Sequence, residues 1–349
     1  MSTPADELEA PHAQQRLDEA SLAKYLDGRL PGDPQRLEAR QFRGGQSNPT
    51  FLLTLGERRY VLRKKPAGVL LATAHMVERE YRVMTALRGS DVPLPRTYLL
   101  CEDSSVIGTP FFVMEYLQGR IFWDGRLPEL SPEQRRACYL EKNRVLAALH
   151  SVDPLQVGLA DYGRSGNYMV RQIRRWTSQY EASRTEDIPS MNALIEWLPA
   201  HTPDDDTTRI VHGDVRFDNM ILHASEPRVL GVLDWELSTL GNPLSDLAYD
   251  CVQYYTPGDD GRTLAQVAGR ESGIPTEQEY VDAYCARTGR SGIEHWTFYL
   301  AFSMFRLASI VQGVYKRGLD GNASSPEALQ RRDGCRLYAD RAWRLVEAS

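Results

Sequence analysis

The run Ile210-Val211-His212-Gly213-Asp214-Val215-Arg216-Phe217-Asp218-Asn219-Met220-Ile221-Leu222 decides how the chain is read. It is a polar loop held between two apolar ends. The second end continues as a strand, Ala224-Ser225-Glu226-Pro227 supplies a turn, and Val229-Leu230-Gly231-Val232-Leu233 returns as the partner that delivers Asp234. Pairing of 220–223 with 229–233 brings Asn219 and Asp234 out side by side at the open end of this hairpin. An amide oxygen beside a carboxylate is a pair of hard ligands of the kind Mg²⁺ takes, with phosphate oxygens and water completing its shell. Asp214 lies five residues before Asn219. It can approach that site without ligating it, as a base accepting a hydroxyl proton must. Alone, each part is ordinary: His-Gly-Asp makes a turn, Asp234 caps a helix, Asn219 closes a turn. Their meeting on one hairpin is what carries the chemistry.

Upstream of this loop the chain is β-rich. A helix is expected over 14–26, stopped by Gly28 and Pro31-Gly32, and a hairpin over 50–55 and 59–63 around Gly56-Glu57. Val77, Tyr81, Met84 and Leu87 form one stripe of a helix over 73–87, and Glu80 falls inside that stripe. A carboxylate turned inward needs a partner, because an unpaired buried charge is costly. The strand Tyr60-Val61-Leu62-Arg63-Lys64-Lys65 offers one, with Arg63 and Lys65 on one face and Lys64 on the other. Strands over 97–101 and 111–116 follow. After Gly119 the character turns helical, opening with Ser131-Pro132-Glu133-Gln134 as a capping box and continuing over 168–183, 243–254, 276–287, 294–316 and 326–346. The expected class is α+β with two lobes: a helical extension over 1–35, a β-rich lobe over 36–117 and a mostly helical lobe over 118–349.

His212-Gly213-Asp214, then Asn219, then Asp234-Trp235-Glu236 resembles the aminoglycoside phosphotransferase and choline kinase superfamily, whose members share the protein-kinase-like fold. The resemblance runs from about Phe42 to Tyr254. It implies an ATP- and Mg²⁺-dependent kinase with Asp214 as catalytic base and Asn219 and Asp234 as metal ligands. On the family pattern Arg63 takes the place of the phosphate-binding lysine, with Lys64 and Lys65 as alternatives one step away in register. Gly44-Gly45-Gln46-Ser47-Asn48 resembles the nucleotide-covering loop, where backbone amides and Ser47 would bond phosphate; a plain turn is the other reading. Phe112-Val113-Met114-Glu115-Tyr116-Leu117 resembles the hinge, whose main chain at Glu115 and Leu117 would bond adenine, with Met114 guarding the pocket behind it. Asp246 resembles an aspartate that braces the catalytic loop, and His150 reads as satisfying a helix end rather than doing chemistry.

Only about a dozen residues separate Asp234 from Asp246 and no Ala-Pro-Glu follows, which is short for the activation segment of a protein kinase. A small-molecule hydroxyl acceptor is therefore expected, with Trp235, Glu236, Asp250, Tyr254, Arg306 and Tyr315 as candidates to bind it. Arg171, Arg174, Arg175, Trp176, Arg306 and Lys316 lean toward a neutral or anionic acceptor rather than a polycationic aminoglycoside. The runs Gly45-Gln46-Ser47-Asn48-Pro49-Thr50 and Leu62-Arg63-Lys64-Lys65-Pro66 are similar to the branch fused to acyl-CoA dehydrogenases in animals. That similarity implies a hydroxyacyl-CoA or related hydroxy acid derivative. The alternatives are a catalytically silent nucleotide-binding regulator and an antibiotic phosphotransferase.

Bulk composition sets the outer bounds. The 349 residues allow two domains at roughly 150 each, and a formal charge of −6 argues against general attraction to nucleic acid. The five cysteines are widely spaced, which argues against a zinc site or a disulfide framework. Residues 1–17 lack the apolar core of a signal peptide, and the apolar stretch over 297–313 is broken by Arg306 and reads as too short to span a membrane. A cytoplasmic protein without a membrane partner is expected.

Overall fold

A computed structural model of the chain describes residues 8–9, 15–43, 48–66, 76–258, 260–322 and 326–349. In chain order these form β1 (Leu8–Glu9), α1 (Glu19–Leu26), β2 (Leu37–Phe42), β3 (Thr50–Leu55), β4 (Arg58–Lys64), α2 (Val77–Ala86), β5 (Thr97–Cys101) and β6 (Phe111–Glu115). They continue as α3 (Pro132–Ser151), α4 (Tyr168–Ser183), α5 (Pro189–Ala200), β7 (Arg209–Val211), β8 (Met220–Leu222), β9 (Val229–Val232) and β10 (Thr239–Gly241). The remainder is α6 (Pro243–Cys251), α7 (Leu264–Val267), α8 (Glu277–Thr288), α9 (Trp296–Leu319) and α10 (Gly334–Glu347). The chain divides into two compact units. The first takes the described residues up to Leu130, Val157–Leu159 and Arg216–Ser238, and the second takes the rest.

In the first unit an antiparallel sheet has the order β1-β2-β3-β4-β6-β5. Alternation sorts its side chains. Phe51, Leu53, Leu55, Tyr60, Leu62, Phe111 and Val113 pack on one face against Leu22 and Leu26 of α1. Each leucine buried there contributes about 1.5–3 kcal/mol. α1 starts at Glu19 rather than near 14 because the Asp18 carboxylate caps it, accepting from the Ser21 amide at 3.0 Å. The opposite face of the sheet carries Val61 and Arg63 of β4, in register with Met114 and Phe112 of β6. α2 buries Val77, Glu80, Val83 and Met84, so its stripe runs through Val83 where the sequence pattern favoured Tyr81, which is half-buried.

The β8–β9 hairpin also belongs to the first unit, pairing Met220 with Val232 and Ile221 with Gly231. Residues 119 and 120 hold it there. The Arg120 amide donates to the Leu222 carbonyl at 2.7 Å, and the Leu222 amide donates back to Arg120 at 2.9 Å. A Cβ on Gly119 would stand 2.2 Å from the Leu222 oxygen, so only glycine permits this approach. This is why the compact unit reaches Leu130 and recovers 216–238, whereas a reading by sequence order ended the β-rich lobe at 117.

In the second unit α9 is the central helix, packed against α4, α6 and α10. At 24 residues, with an 18-residue stretch of mean hydropathy 1.2, it is long and apolar enough to cross a membrane by length and composition, contrary to the expectation from sequence. Its apolar residues are instead core: 67% of that stretch is buried, including Phe298, Phe302, Met304 and Phe305. α3 begins with the expected capping box, Ser131 Oγ accepting from the Gln134 amide at 3.3 Å and Gln134 Oε1 from the Ser131 amide at 3.0 Å. β7 pairs antiparallel with β10, a two-stranded ribbon that leads into the His212–Asp214 loop. The helix expected over 243–254 ends at Cys251 and tightens into a 3-10 turn, and the one expected over 326–346 is a 3-10 turn over Pro326–Arg331 followed by α10.

Candidate active site

A cavity of about 500 Å³ opens in the first unit. Arg63, Glu80, Asn219 and Asp234 line it together with Val61, Phe112 and the strand exit Met114-Glu115-Tyr116-Leu117. The cation comes from β4 and the inward carboxylate from α2. Arg63 Nε donates to Glu80 at 3.1 Å, and Arg63 Nη2 donates to Asp234 Oδ1 at 2.5 Å. Lys65 takes the next rung, pairing with Glu78 at 2.5 Å, while Lys64 points to the other face, over the Phe51 ring. The register left open by sequence thus settles on Arg63 as the cation that faces the cavity.

Asn48, from the loop expected to cover the nucleotide, turns its side chain inward. Its side chain is fully buried, and Nδ2 donates to Glu80 Oε1 at 2.8 Å while Oδ1 has no partner among the described residues. Ser47 and the preceding glycines lie outside the described residues. Burial pushes the Glu80 carboxyl up to about 7, and the nearby Asp234 and Glu236 add to this against the opposing pull of Arg63. Burial disfavours the charge of Arg63, yet Glu80, Asp234 and Glu236 together hold its pKa above the ordinary value. One guanidinium therefore faces three carboxylates, and the cluster carries a surplus of negative charge.

Asn219 and Asp234 stand at the open end of the β8–β9 hairpin, joined by a bond from the Leu233 amide to the Asn219 carbonyl at 2.8 Å. Asp234 sits in the left-handed region with φ 63°. That conformation is rare outside glycine, and aspartate is among the residues that bear it best. At the strand exit the Glu115 amide donates to Arg96 O at 2.8 Å, and the Glu115 carboxylate accepts from the Arg96 amide at 3.1 Å. The sequence reading did not single out Arg216 and Asp218, ion-paired at 2.9 Å, or Trp123, which is 55% exposed; all three line the cavity. The first two sit inside the quoted loop, but nothing in their spacing distinguishes them from solvent-facing turn residues. Val61 was within reach, since alternation places it beside Arg63.

Asp214 lies in the second unit, at the end of a braced loop. The Asp246 carboxylate accepts from the His212 and Gly213 amides, both at 2.8 Å, and from His150 Nε2 at 3.2 Å. Although burial opposes its ionisation, the His150 bond and the His212 amide hold Asp246 below the usual carboxylate range. His150 Nδ1 faces the Tyr284 hydroxyl at 2.8 Å, so the ring is spent between two partners. The Asp214 amide donates to His212 Nδ1 at 3.2 Å.

The six candidates for acceptor binding are dispersed. Trp235 is buried, with Nε1 donating to the Val232 carbonyl at 3.0 Å. Asp250 is buried against Lys142 Nζ at 2.6 Å and the Tyr280 hydroxyl at 2.7 Å, and Tyr254 donates to the Pro275 carbonyl at 2.8 Å. These three side chains are engaged in the core and offer no surface to a ligand. Glu236 and Tyr315 are half-buried. Arg306, also half-buried, donates from Nη2 to the Gly213 carbonyl at 2.9 Å.

Known proteins are similar to this chain along most of its length. The profile of a phosphotransferase enzyme family matches residues 38–284. Acyl-CoA dehydrogenase family member 10 of Mus musculus is 48% identical over 93% of this chain, which spans only 30% of that protein. A solved protein of Ralstonia eutropha, named as a candidate aminoglycoside phosphotransferase, is 48% identical with a TM-score of 0.88, covering 95% of this chain and 99% of its own. The aminoglycoside phosphotransferase APH(4)-Ia, solved with AMP-PNP and hygromycin B, has a TM-score of 0.62 at 16% identity, covering 94% of this chain and 99% of its own. The last likeness is one of fold alone.

Proposed function

Because the chain belongs to the phosphotransferase enzyme family and has the two-lobed, protein-kinase-like fold with a small β-rich lobe and a larger helical one, we propose that it moves the γ-phosphate of ATP to a hydroxyl group of a small molecule. The family supports phosphoryl transfer in general. The observation that carries the finer reading is the convergence of Arg63, Glu80, Asn219 and Asp234 on one cavity that also holds the Met114–Leu117 strand exit.

The donor set suits Mg²⁺. An amide and a carboxylate oxygen are hard ligands, and a surplus of negative charge around a single guanidinium is what a divalent ion relieves. Asn219 and Asp234 would hold the ion, which when bound would neutralise charge on the phosphates. Arg63 bonds Oδ1 of Asp234 and is oriented by Glu80, so its charge is fixed where phosphate would lie. Asn48 steadies Glu80 from behind. The main chain at Glu115 and Leu117 would receive adenine, with Met114 against the base. Asp214 would take the proton from the acceptor hydroxyl as its oxygen attacks phosphorus. Transfer of this type asks the protein chiefly for positioning and charge stabilisation.

For the acceptor we propose a hydroxyacyl-CoA or related hydroxy acid derivative, since the mouse relative at 48% identity is named an acyl-CoA dehydrogenase family member. The chain spans under half the length of such relatives, so any coupling to a dehydrogenase reaction is part of the same proposal. The test is incubation with ATP and Mg²⁺ against hydroxyacyl-CoAs, free hydroxy acids, choline and aminoglycosides, read by mass gain of one phosphate. Phosphorylated acyl-CoA is the expected product. Phosphorylated aminoglycoside would move the reading to an antibiotic phosphotransferase. Tight binding of Mg-ATP with no product from any acceptor would favour a silent nucleotide-binding module.

A further inference from the structure

Arg306 lies in the middle of α9, in a stretch otherwise filled by Phe302, Met304, Phe305 and Ala308. A charged residue among these needs a reason. Its guanidinium carbon stands 4.5 Å from the centroid of the Tyr249 ring and 5.5 Å from that of Trp176. Nη2 donates to the Gly213 carbonyl at 2.9 Å, while Nε is buried with no hydrogen-bond partner among the described residues. An unmade bond of this kind costs about 1–3 kcal/mol. The arrangement gives up Nε and keeps Nη2 on Gly213.

The bonds around the loop explain why that carbonyl matters. Asp246 grips the His212 and Gly213 amides, which fixes the chain as far as the nitrogen of residue 213. Gly213 has φ 85°, and a glycine in this region lets the following peptide rotate at small cost. The peptide from Gly213 to Asp214 is planar, so its C=O and N–H turn together. Its N–H is held from within the loop by His212 Nδ1 at 3.2 Å, and its C=O is held from outside by Arg306.

We infer that Arg306 is a positioning residue, which locks the Gly213–Asp214 peptide and so sets the direction in which Asp214 presents its carboxylate. The inference rests on the proposed role of Asp214 as base. It also gives Arg306 a task other than binding the acceptor. A displacement of about 1 Å at a catalytic group costs on the order of 100-fold in rate, so losing this bond acts on turnover rather than on nucleotide affinity.

The experiment compares the full chain with Arg306→Gln and Arg306→Lys. Hydrogen exchange at the Asp214 amide, read in peptides covering 210–217, reports the peptide directly and needs no acceptor. Turnover is measured on whichever hydroxyacyl-CoA the unaltered chain phosphorylates. Arg306→Gln is expected to speed exchange at that amide about tenfold or more and to lower kcat by about 10- to 100-fold with KM for ATP nearly unchanged. Arg306→Lys, which keeps a charge and a donor, recovers part of both. An Asp214 amide as protected in the Gln variant as in the parent overturns the inference. So does an unchanged kcat, or a loss that falls on KM for ATP. A parent chain that transfers phosphate to nothing sinks the proposed function instead, and the exchange result then still decides whether Arg306 holds the peptide. Should the Gln variant fail to fold, the Lys variant carries the same comparison.

Discussion

Replacing Glu80 by Gln isolates the electrostatic cost at the centre of the cavity. Burial raises its carboxyl from 4.5 to about 7, with Asp234 and Glu236 adding to the shift. A raised acid group binds its proton more tightly in the folded chain than in the unfolded one. Folding is then favoured most below the unfolded pKa, and stability is lost as the pH climbs through the folded value. One pKa unit corresponds to about 1.4 kcal/mol, so this carboxyl alone withdraws about 3 kcal/mol between pH 4.5 and pH 8.5. Glu80→Gln keeps an acceptor for Arg63 and Asn48 but cannot ionise, so the withdrawal vanishes. The measurement is urea unfolding of both proteins in EDTA, without nucleotide, at pH 5.5, 7 and 8.5. The variant should gain on the parent by about 2 kcal/mol across that range, other titrating groups cancelling in the difference. Parallel pH profiles for the two proteins would refute the reasoning, since the carboxyl would then ionise alike in the folded and unfolded chains.

Asp214→Asn should lower turnover by about two to four orders of magnitude while the Mg-ATP thermal shift persists; unaltered turnover removes Asp214 as the base. Asp234→Ala should abolish the dependence of ATP binding on Mg²⁺ in calorimetry, and a binding isotherm that still responds to Mg²⁺ removes it as a ligand. Gly119→Ala places a Cβ 2.2 Å from the Leu222 carbonyl and should cost about 1–3 kcal/mol in denaturant unfolding. No loss there would mean that the hairpin yields freely. Ser131→Ala breaks the cap of α3 and should cost about 1 kcal/mol by the same assay.

What sequence conveyed was whatever local periodicity encodes. Three-and-four spacing turned Glu80 inward, and alternation put Arg63 and Lys65 on one face, so the Arg63–Glu80 rung between β4 and α2 was legible, whereas the Lys65–Glu78 rung was not. The β8–β9 hairpin was equally visible, being two apolar runs around a turn. Long-range partners were not. Asp250 and Tyr254 have the chemistry of a binding site, but Lys142 and Tyr280 occupy the first and Pro275 the second, and no spacing along the chain announces that. Arg306 looked like an acceptor contact for the same reason: Gly213 is 93 residues away in sequence. α5 was not among the expected helices; Pro189 opens it and Pro199 sits in its last turn, so neither proline ends it early.

The three adjacent cations of β4 look redundant in a string of letters, and the pleat makes them unlike. Arg63 meets a carboxylate in the cavity, Lys64 lies against an aromatic ring in the apolar layer, and Lys65 closes a second rung to α2. Sliding this strand by a single position would thrust a guanidinium with no counter-ion among Phe51 and Leu53 of β3 and leave Glu80 facing leucine. The charges thus act as a proofreading device for strand alignment: the guanidinium that faces the cavity also penalises a mispaired sheet that would leave it stranded.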